Sequence, residues 1–519
     1  VVEKITYASL GSLGEEFHQQ FDAALNRITD RFGLLHTLDV AGKALKGRPT
    51  FTDVSPSNNR IVLGTFQNAT RADTQKVIDS AKAAFPGWRD LGWRKRVEFL
   101  RKAAELMTER QFEYAAWLVL EVGKNRVEAI AEVSEAIDLI LYYCAQIEEH
   151  GGYEIEMSGS GKERTKSVLK PYGAWAVIAP FNFPLALGTG MAAGALVAGN
   201  TVVFKPASAT PMSGILLAEC MHDAGLPEGV FNLVTGAGNV VGEELVANAT
   251  LDGLVFTGSR AVGLQILRRF GNGVPKPCIV EMGGKNPAII MPSANIEDAT
   301  EGVVRSAFGM GGQKCSACSR LYLHKTIYRR FMDLLVEKTA ALKIADPSER
   351  DTFLGPMINH DAFKKYDRAV RTGKKEGRLV YGGERMKGRP YAHACYVQPA
   401  IFDRLPKQSV MFRDEFFAPI LAVREFSTLD EAIALSNDTV YGLTAGIFTQ
   451  DVGERDKFFN EIEAGVLYCN RRGGATTGAW PGVQSFGGWK SSGSSGKSAL
   501  GPYYVSQFLR EQSQTTFEK

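Results

Sequence analysis

Two cysteines stand three positions apart in Gly311–Arg320, GGQKCSACSR: Cys315 and Cys318. Such a pair can be half a zinc site, a redox dithiol, an inert buried pair, or one reactive thiol with a neighbour. A structural zinc site needs four ligands, ordinarily a second pair or spaced histidines. The chain has seven cysteines and seven histidines, no second C-x-x-C, and no two histidines within five residues of each other. No metal is expected. The preceding run is not a thioredoxin-type strand, which weakens the dithiol reading. Free cysteine is often buried and inert, so that alternative stays open. The reading that carries chemistry is one nucleophilic thiol. Glycines in AFGMGGQ upstream would let backbone N–H groups approach a reacting atom.

A nucleophilic thiol needs partners. His324 is the nearest histidine, but it falls on an expected strand and nothing marks it. In VEMGGKNP, Glu281 ends an apolar strand just before two glycines, where a general base is well placed. Taken alone, a solvated strand-end glutamate explains it as well. APFNFPL puts the Asn182 amide between Phe181 and Phe183 in a stretch without charge. A buried amide must find a partner. It ties down a loop or donates to an oxyanion. The G-x-G-x-x-G fingerprint is absent. VFTGSRAVG has strand before it and helix after it, so Ser259 and the N–H groups at that helix start suit a phosphate. In TVVFKPAS, Lys205 follows a strand end, where ligands bind in open α/β sheets.

The elements that would position these groups follow from the hydrophobic pattern. Residues 72–147 read as helices: Val77, Ile78, Ala81 and Phe85 share one face, and Trp93, Val97, Leu100, Ala104 and Met107 another. Val127–Ile147 reads as one long helix, apolar on one side, with core packing as its whole role. From 173 to 290, short apolar runs (AWAVIA, TVVFKP, VFNLVTG, LDGLVFTG, CIVEMGG) alternate with helical ones, which predicts a mostly parallel sheet. A second α/β set runs from 290 to 475, with strands at RLYLHK, APILAVREF, TAGIFT and GVLYCN. The C-terminal end opens with a Gly/Ser loop and closes with a strand-like tail.

Bulk properties narrow the classes. The 519 residues are 45% apolar, 23% charged and 10% aromatic, with a net charge of +3. That is a globular chain of about three or four domain-sized units. No long basic block exists, which argues against nucleic acid. The uncharged stretch Gly173–Phe204 is interrupted by Pro180, Asn182, Pro184 and Asn200, so it reads as buried strand and helix and not as a membrane span. Scattered cysteines indicate a reducing, cytoplasmic setting. Residues 1–20 lack a basic region followed by an apolar one and lack a starting Met, which leaves a removed organelle leader open.

The stretches PFNFP, FKPAS, FTGS, EMGGKNP, GGQKCS, EFFAP and SFGGWKSSG, in that order, resemble the aldehyde dehydrogenase superfamily from about Phe51 onward. Thirty-four positions separate Glu281 from Cys315, and 133 separate Asn182 from Cys315, as in that family. The resemblance implies an α/β fold with a Rossmann-type NAD(P)-binding domain (1–150 and 173–283) and an α/β catalytic domain (284–487). It also implies a β-strand oligomerisation arm (151–172 and 488–519) that builds a homo-oligomer on dimers. Cys315 would attack the aldehyde, Asn182 and the Cys315 N–H would hold the oxyanion, and Glu281 would activate the hydrolytic water. The presence of Glu281 argues against the CoA-acylating branch. Lys205 would contact the adenine ribose, Gly258 and Ser259 the pyrophosphate, and Glu415 the nicotinamide ribose with Phe417 nearby. NAD is the expected cofactor. Ser208, where many NAD-selective members carry Glu, leaves NADP possible. Ala418 departs from a common glycine.

GQKCSACSR with NRRGGATTGAWPGVQSFGG looks most like the branch that oxidises glutamate γ-semialdehyde, formed from 1-pyrroline-5-carboxylate in proline degradation. Ser316 and the N–H groups of Gly478 and Ala479 would grip a substrate carboxylate without a charged side chain. Phe183 and Phe486 would sandwich the aliphatic part. Ser485 replaces a common proline, and Arg471–Thr476 matches no pattern. Another short acidic semialdehyde, such as succinic semialdehyde or 2,5-dioxopentanoate, is the alternative substrate. A protein that kept the fold and lost activity is the alternative class, although joint presence of Cys315, Glu281 and Asn182 speaks against it.

Overall fold

In the computed structural model, residues 6–7, 14–40 and 42–517 are described. The stretch read for a secretory signal lies partly outside them, as do the last two residues of the expected arm.

Five strands make the first sheet: β1 Ala174–Ile178, β2 Thr201–Lys205, β3 Phe231–Leu233, β4 Gly253–Thr257 and β5 Cys278–Glu281. Their order is β3-β2-β1-β4-β5, parallel throughout. Unbroken apolar runs such as AWAVI and TVVFK suit strands covered on both faces. The helix Arg71–Asp90, through Val77, Ile78 and Ala81, and α4, Arg260–Arg269, through Ile266, cover one face. The other is covered by α2, Pro184–Ala198, α3, Pro211–Asp223, and the helices of 92–149, whose side chains share one core with Trp175, Val177, Val202 and Phe204. The last of those helices is α1, Arg126–Glu149, capped by Asn125. The strand order reverses between β1 and β4. At such a switch point the carboxyl ends open a crevice, here bearing Lys205, Thr257 and Glu281.

The second sheet has seven strands: β6 Asn286–Ile290, β7 Cys318–His324, β8 Arg378–Gly382, β9 Ala400–Asp403, β10 Ile420–Phe426, β11 Thr444–Phe448 and β12 Val466–Cys469. Their order is β8-β9-β10-β7-β6-β11-β12, parallel except for the edge strand β8. The helix α5, Ile296–Phe308, packs on it through Val303, Ala307 and Phe308. Only four residues, Met282–Lys285, join β5 of the first sheet to β6 of the second, so the carboxyl end of one sheet meets the amino end of the other.

A third, three-stranded antiparallel sheet pairs Leu509–Phe517 with Glu163–Pro171, and that strand with Glu154–Met157. Just before it, Leu500, Tyr504, Val505 and Phe508 pack into the first core. Among the described residues no helix is long and apolar enough to cross a membrane. The helix Glu15–Ile28 buries Phe21, Ala24 and Ile28 in the first core.

Candidate active site

Cys315 lies in the loop between α5 and β7, and its surroundings are fixed by backbone contacts. The preceding turn carries left-handed backbone at Met310, Gly311 and Gly312. At Gly312 a Cβ would stand 2.4 Å from the Ala418 carbonyl oxygen, so this approach requires glycine. Asn286, at the start of β6, donates from Nδ2 to the carbonyls of Cys315 (2.8 Å) and Ala317 (2.9 Å) and accepts the Thr444 N–H on Oδ1. One side chain thus staples the thiol loop to the second sheet. Asn286 escaped the sequence reading because its partners lie far along the chain.

The cleft beside Cys315 runs between the two sheets. Cys315, Ser316, Glu281, Phe183, Phe486, Gly478 and Ala479 all line it. The structure therefore brings together seven of the residues singled out by type and motif. Asn182 stands behind this wall, buried, with Nδ2 donating to the Gln313 carbonyl at 3.0 Å. A carboxamide nitrogen carries two hydrogens, so a second remains for another acceptor. Cys318 points elsewhere: it is buried in the second-sheet core, and its thiol reaches the Arg320 carbonyl at 3.5 Å.

The electrostatics follow from burial. The Cys315 thiol is pushed up to about 12 by desolvation, then by the Glu415 and Glu281 carboxylates, against a smaller lowering by the Ser316 and Cys315 N–H groups. Glu281 is pushed up to about 8 by burial, and one hydrogen bond, from the Gly488 N–H at 3.2 Å, opposes this. A carboxyl so placed exchanges its proton near neutral pH, as a general base requires.

Several residues of the site went unmarked in the sequence reading. Glu128, Glu132 and Glu135 recur at four- and three-residue spacing within the largely buried helix α1. That spacing was visible, and core packing alone does not explain it. Glu132 accepts the Leu185 and Ala186 N–H groups at the start of α2 and pairs with Lys124, whose Nζ lies 3.5 Å from the Phe183 ring centroid. Lys314 pairs with Glu128 at 3.0 Å. Glu135 lines the cleft with Tyr7, which donates to it at 2.6 Å. Burial pushes Glu135 up to about 7.

The remaining predicted residues lie along the crevice of the first sheet. Lys205 is buried, lowered to about 8 by desolvation, and uses one N–H on the Pro206 carbonyl. Ser208 is exposed and donates to the Gly236 carbonyl at 3.4 Å. Ser259 caps the helix Arg260–Arg269. The Gly258 N–H is committed to the Glu281 carbonyl at 3.1 Å, which leaves Ser259 and the helix start as the donors there. Glu415 accepts the Gly284 N–H at 3.0 Å and is pushed up to about 7 by burial. Phe417, with φ of 55°, packs edge-on against Phe181. These groups fit a dinucleotide. The decisive sign is Arg260, whose Nε is buried without a hydrogen bond at the helix start beside Ser259, as an anionic ligand would require. Among the described residues no cluster of His, Cys, Asp or Glu could hold a metal.

Comparison with known proteins agrees with this arrangement. Residues 44–513 match the model of the Aldehyde dehydrogenase family. The 1-pyrroline-5-carboxylate dehydrogenase of Geobacillus thermodenitrificans is 37% identical over 506 residues, 96% of each chain. That of Halalkalibacterium halodurans is 37% identical over 97% of each. Among solved structures, the 1-pyrroline-5-carboxylate dehydrogenase from Thermus with bound NAD superposes with a TM-score of 0.92 at 36% identity, covering 97% of both chains. Proline utilization A from Bdellovibrio bacteriovorus gives 0.93 at 33% identity, covering 98% of this chain and 53% of that one. With a thiol, a raised carboxyl and a dinucleotide crevice in one arrangement, and these relatives over nearly its whole length, the chain belongs to the aldehyde dehydrogenase family.

Proposed function

We propose that the chain oxidises glutamate γ-semialdehyde, the open form of 1-pyrroline-5-carboxylate, to glutamate in proline degradation. Cys315 Sγ attacks the aldehyde carbon, and its thiol proton passes to solvent water as the C–S bond forms. The oxygen becomes an oxyanion held by the Cys315 N–H and the second Asn182 Nδ2 hydrogen. Bound nicotinamide dinucleotide, NAD with NADP possible, would supply the acceptor for the hydride that leaves this carbon. The thioester left on Cys315 is hydrolysed by water whose proton goes to Glu281, and the sulfur departs. Lys205, Ser259, Arg260 and Glu415 orient the dinucleotide. Neutral Ser208 leaves NADP usable.

One observation carries the substrate assignment. The cleft offers Ser316, the backbone N–H groups of Gly478 and Ala479, and a buried carboxylate at Glu135, between the aromatic walls of Phe183 and Phe486. The first set suits a substrate carboxylate and Glu135 suits an ammonium. An amino acid semialdehyde supplies both. Succinic semialdehyde and 2,5-dioxopentanoate supply no ammonium and would leave the Glu135 carboxylate without a counter-charge from the substrate. Initial rates across these aldehydes, with NAD and NADP, test this. Fastest formation of NADH with 1-pyrroline-5-carboxylate, abolished in Cys315→Ala, is expected. A higher kcat/KM for either aldehyde without an amino group would refute it.

The domain reading belongs to the same proposal. Residues 1–150 and 173–283 form the cofactor unit, 284–487 the catalytic unit, and 151–172 with 488–519 the arm. The arm sheet leaves Ile155, Met157 and Phe517 exposed on strands with open edges, a surface suited to a second copy of the chain. All seven cysteines are free, in keeping with a reducing cytoplasm.

A further inference from the structure

The run Arg471–Thr476 has no counterpart in the motifs read from the sequence, yet it frames the loop assigned to the substrate carboxylate. Arg471 follows β12, and its Nη2 donates to the Gly478 carbonyl at 2.5 Å. Its guanidinium carbon lies 5.0 Å from the Tyr468 ring centroid. Among the described residues no carboxylate pairs with it. Gly478 has φ of +101°, and a Cβ there would stand 2.7 Å from Nη2. Glycine is therefore what lets the cation lie on the loop.

The amide that accepts this bond joins Gly478 to Ala479, and its other end is the Ala479 N–H. A cation on the carbonyl oxygen polarises the unit and strengthens that N–H as a donor. The same N–H faces the hydroxyl oxygen of the buried Tyr468, which shares it as an acceptor. The loop is tied to the thiol as well. The Thr476 hydroxyl donates to the Ser316 carbonyl at 2.7 Å, and its N–H donates to Ser306 Oγ on α5 at 3.1 Å.

We infer that Arg471 is a positioning residue for specificity, giving the carboxylate-binding loop its positive charge through the Gly478–Ala479 amide without entering the cleft. This rests on the proposed function. It explains how a loop with no charged side chain in the cleft can discriminate for an anion.

The test uses the full chain, wild type, Arg471→Gln and Arg471→Lys, with glutamate semialdehyde and with pentanal, an uncharged aldehyde of the same chain length. For Arg471→Gln, KM for the semialdehyde should rise about tenfold or more, kcat should change less than about twofold, and KM for pentanal should hold. Arg471→Lys should recover part of the loss, because the charge remains while the planar fork does not. Equal loss on both aldehydes would assign Arg471 to the fold alone and overturn the inference. So would a folded Arg471→Gln, judged by its thermal transition, that keeps full preference for the semialdehyde beside a wild type that has it. A wild type that did not distinguish the two aldehydes would sink the proposed substrate and this inference together.

Discussion

Glu281→Gln is the sharpest probe of the chemistry. In the structure this carboxyl is buried at the end of β5, has one N–H donor at 3.2 Å, and sits near 8. The base is the ionised form, so the water-activating step gains as pH rises through that value. From one pH unit below to one above, the ionised fraction grows roughly tenfold, and deacylation should follow it. Glutamine keeps the shape but removes the acceptor for the proton, at a cost of about 10²- to 10⁴-fold in turnover. Hydride leaves the carbon before water is needed, so the variant should still give one burst of NADH per active site and then stall. Rapid-mixing measurement of NADH across the pH range, with mass spectrometry of the stalled chain, reads both consequences. Expected are a burst of unit amplitude, an acyl adduct on the peptide bearing Cys315, and loss of the inflection near 8 from the steady-state profile. Steady turnover close to wild type would refute the assignment of the base. An inflection that persisted in the variant would move it to another titrating group, with Glu135 and Glu415 as the candidates.

Two further outcomes follow from packing. Lys124→Met leaves Glu132 buried without its cation, and the chain should lose about 3–5 kcal/mol in urea unfolding. Burial already raises Glu132, so in the variant stability is kept at low pH and lost as pH rises through the raised value. The deficit should therefore grow as pH rises above the ordinary carboxylate range. Cys318→Ala removes a buried sulfur that touches no part of the cleft. It should lower stability by about 1–2 kcal/mol and leave kcat unchanged in steady-state assay.

The sequence was most legible where one residue type had to sit at an element's end. Glu281 closes a strand before two glycines, and Lys205 closes another, so period and punctuation placed both at the crevice. The alternating runs of 173–290 gave the first sheet because buried parallel strands are apolar without interruption. The second sheet was only half visible. β6, β8 and β9 were missed because NPAII, RLVYG and AIFD are short and flanked by charged or irregular sequence. The helix His360–Glu376 was missed because its polar face dominates its composition. Between the third and fourth strands the helical run begins as a π-helical turn at Gly238–Gly242 before the α-helix Glu243–Ala247. In the site, Asn286 and Arg471 act on backbone carbonyls. Their partners are set by tertiary approach, which no local pattern encodes. The glutamates of α1 are a different case: their spacing was plain, but a buried carboxylate is recognisable only once its cation or N–H partner is in view.

The crowding of negative groups round one sulfur also bears on how the protein survives between turnovers. Oxidants and alkylating agents attack thiolate far faster than thiol. Burial above all, with the Glu415 and Glu281 carboxyls beside it, keeps the proton on this sulfur, so the idle thiol should react slowly with peroxide, and the same desolvation must be overcome when substrate arrives.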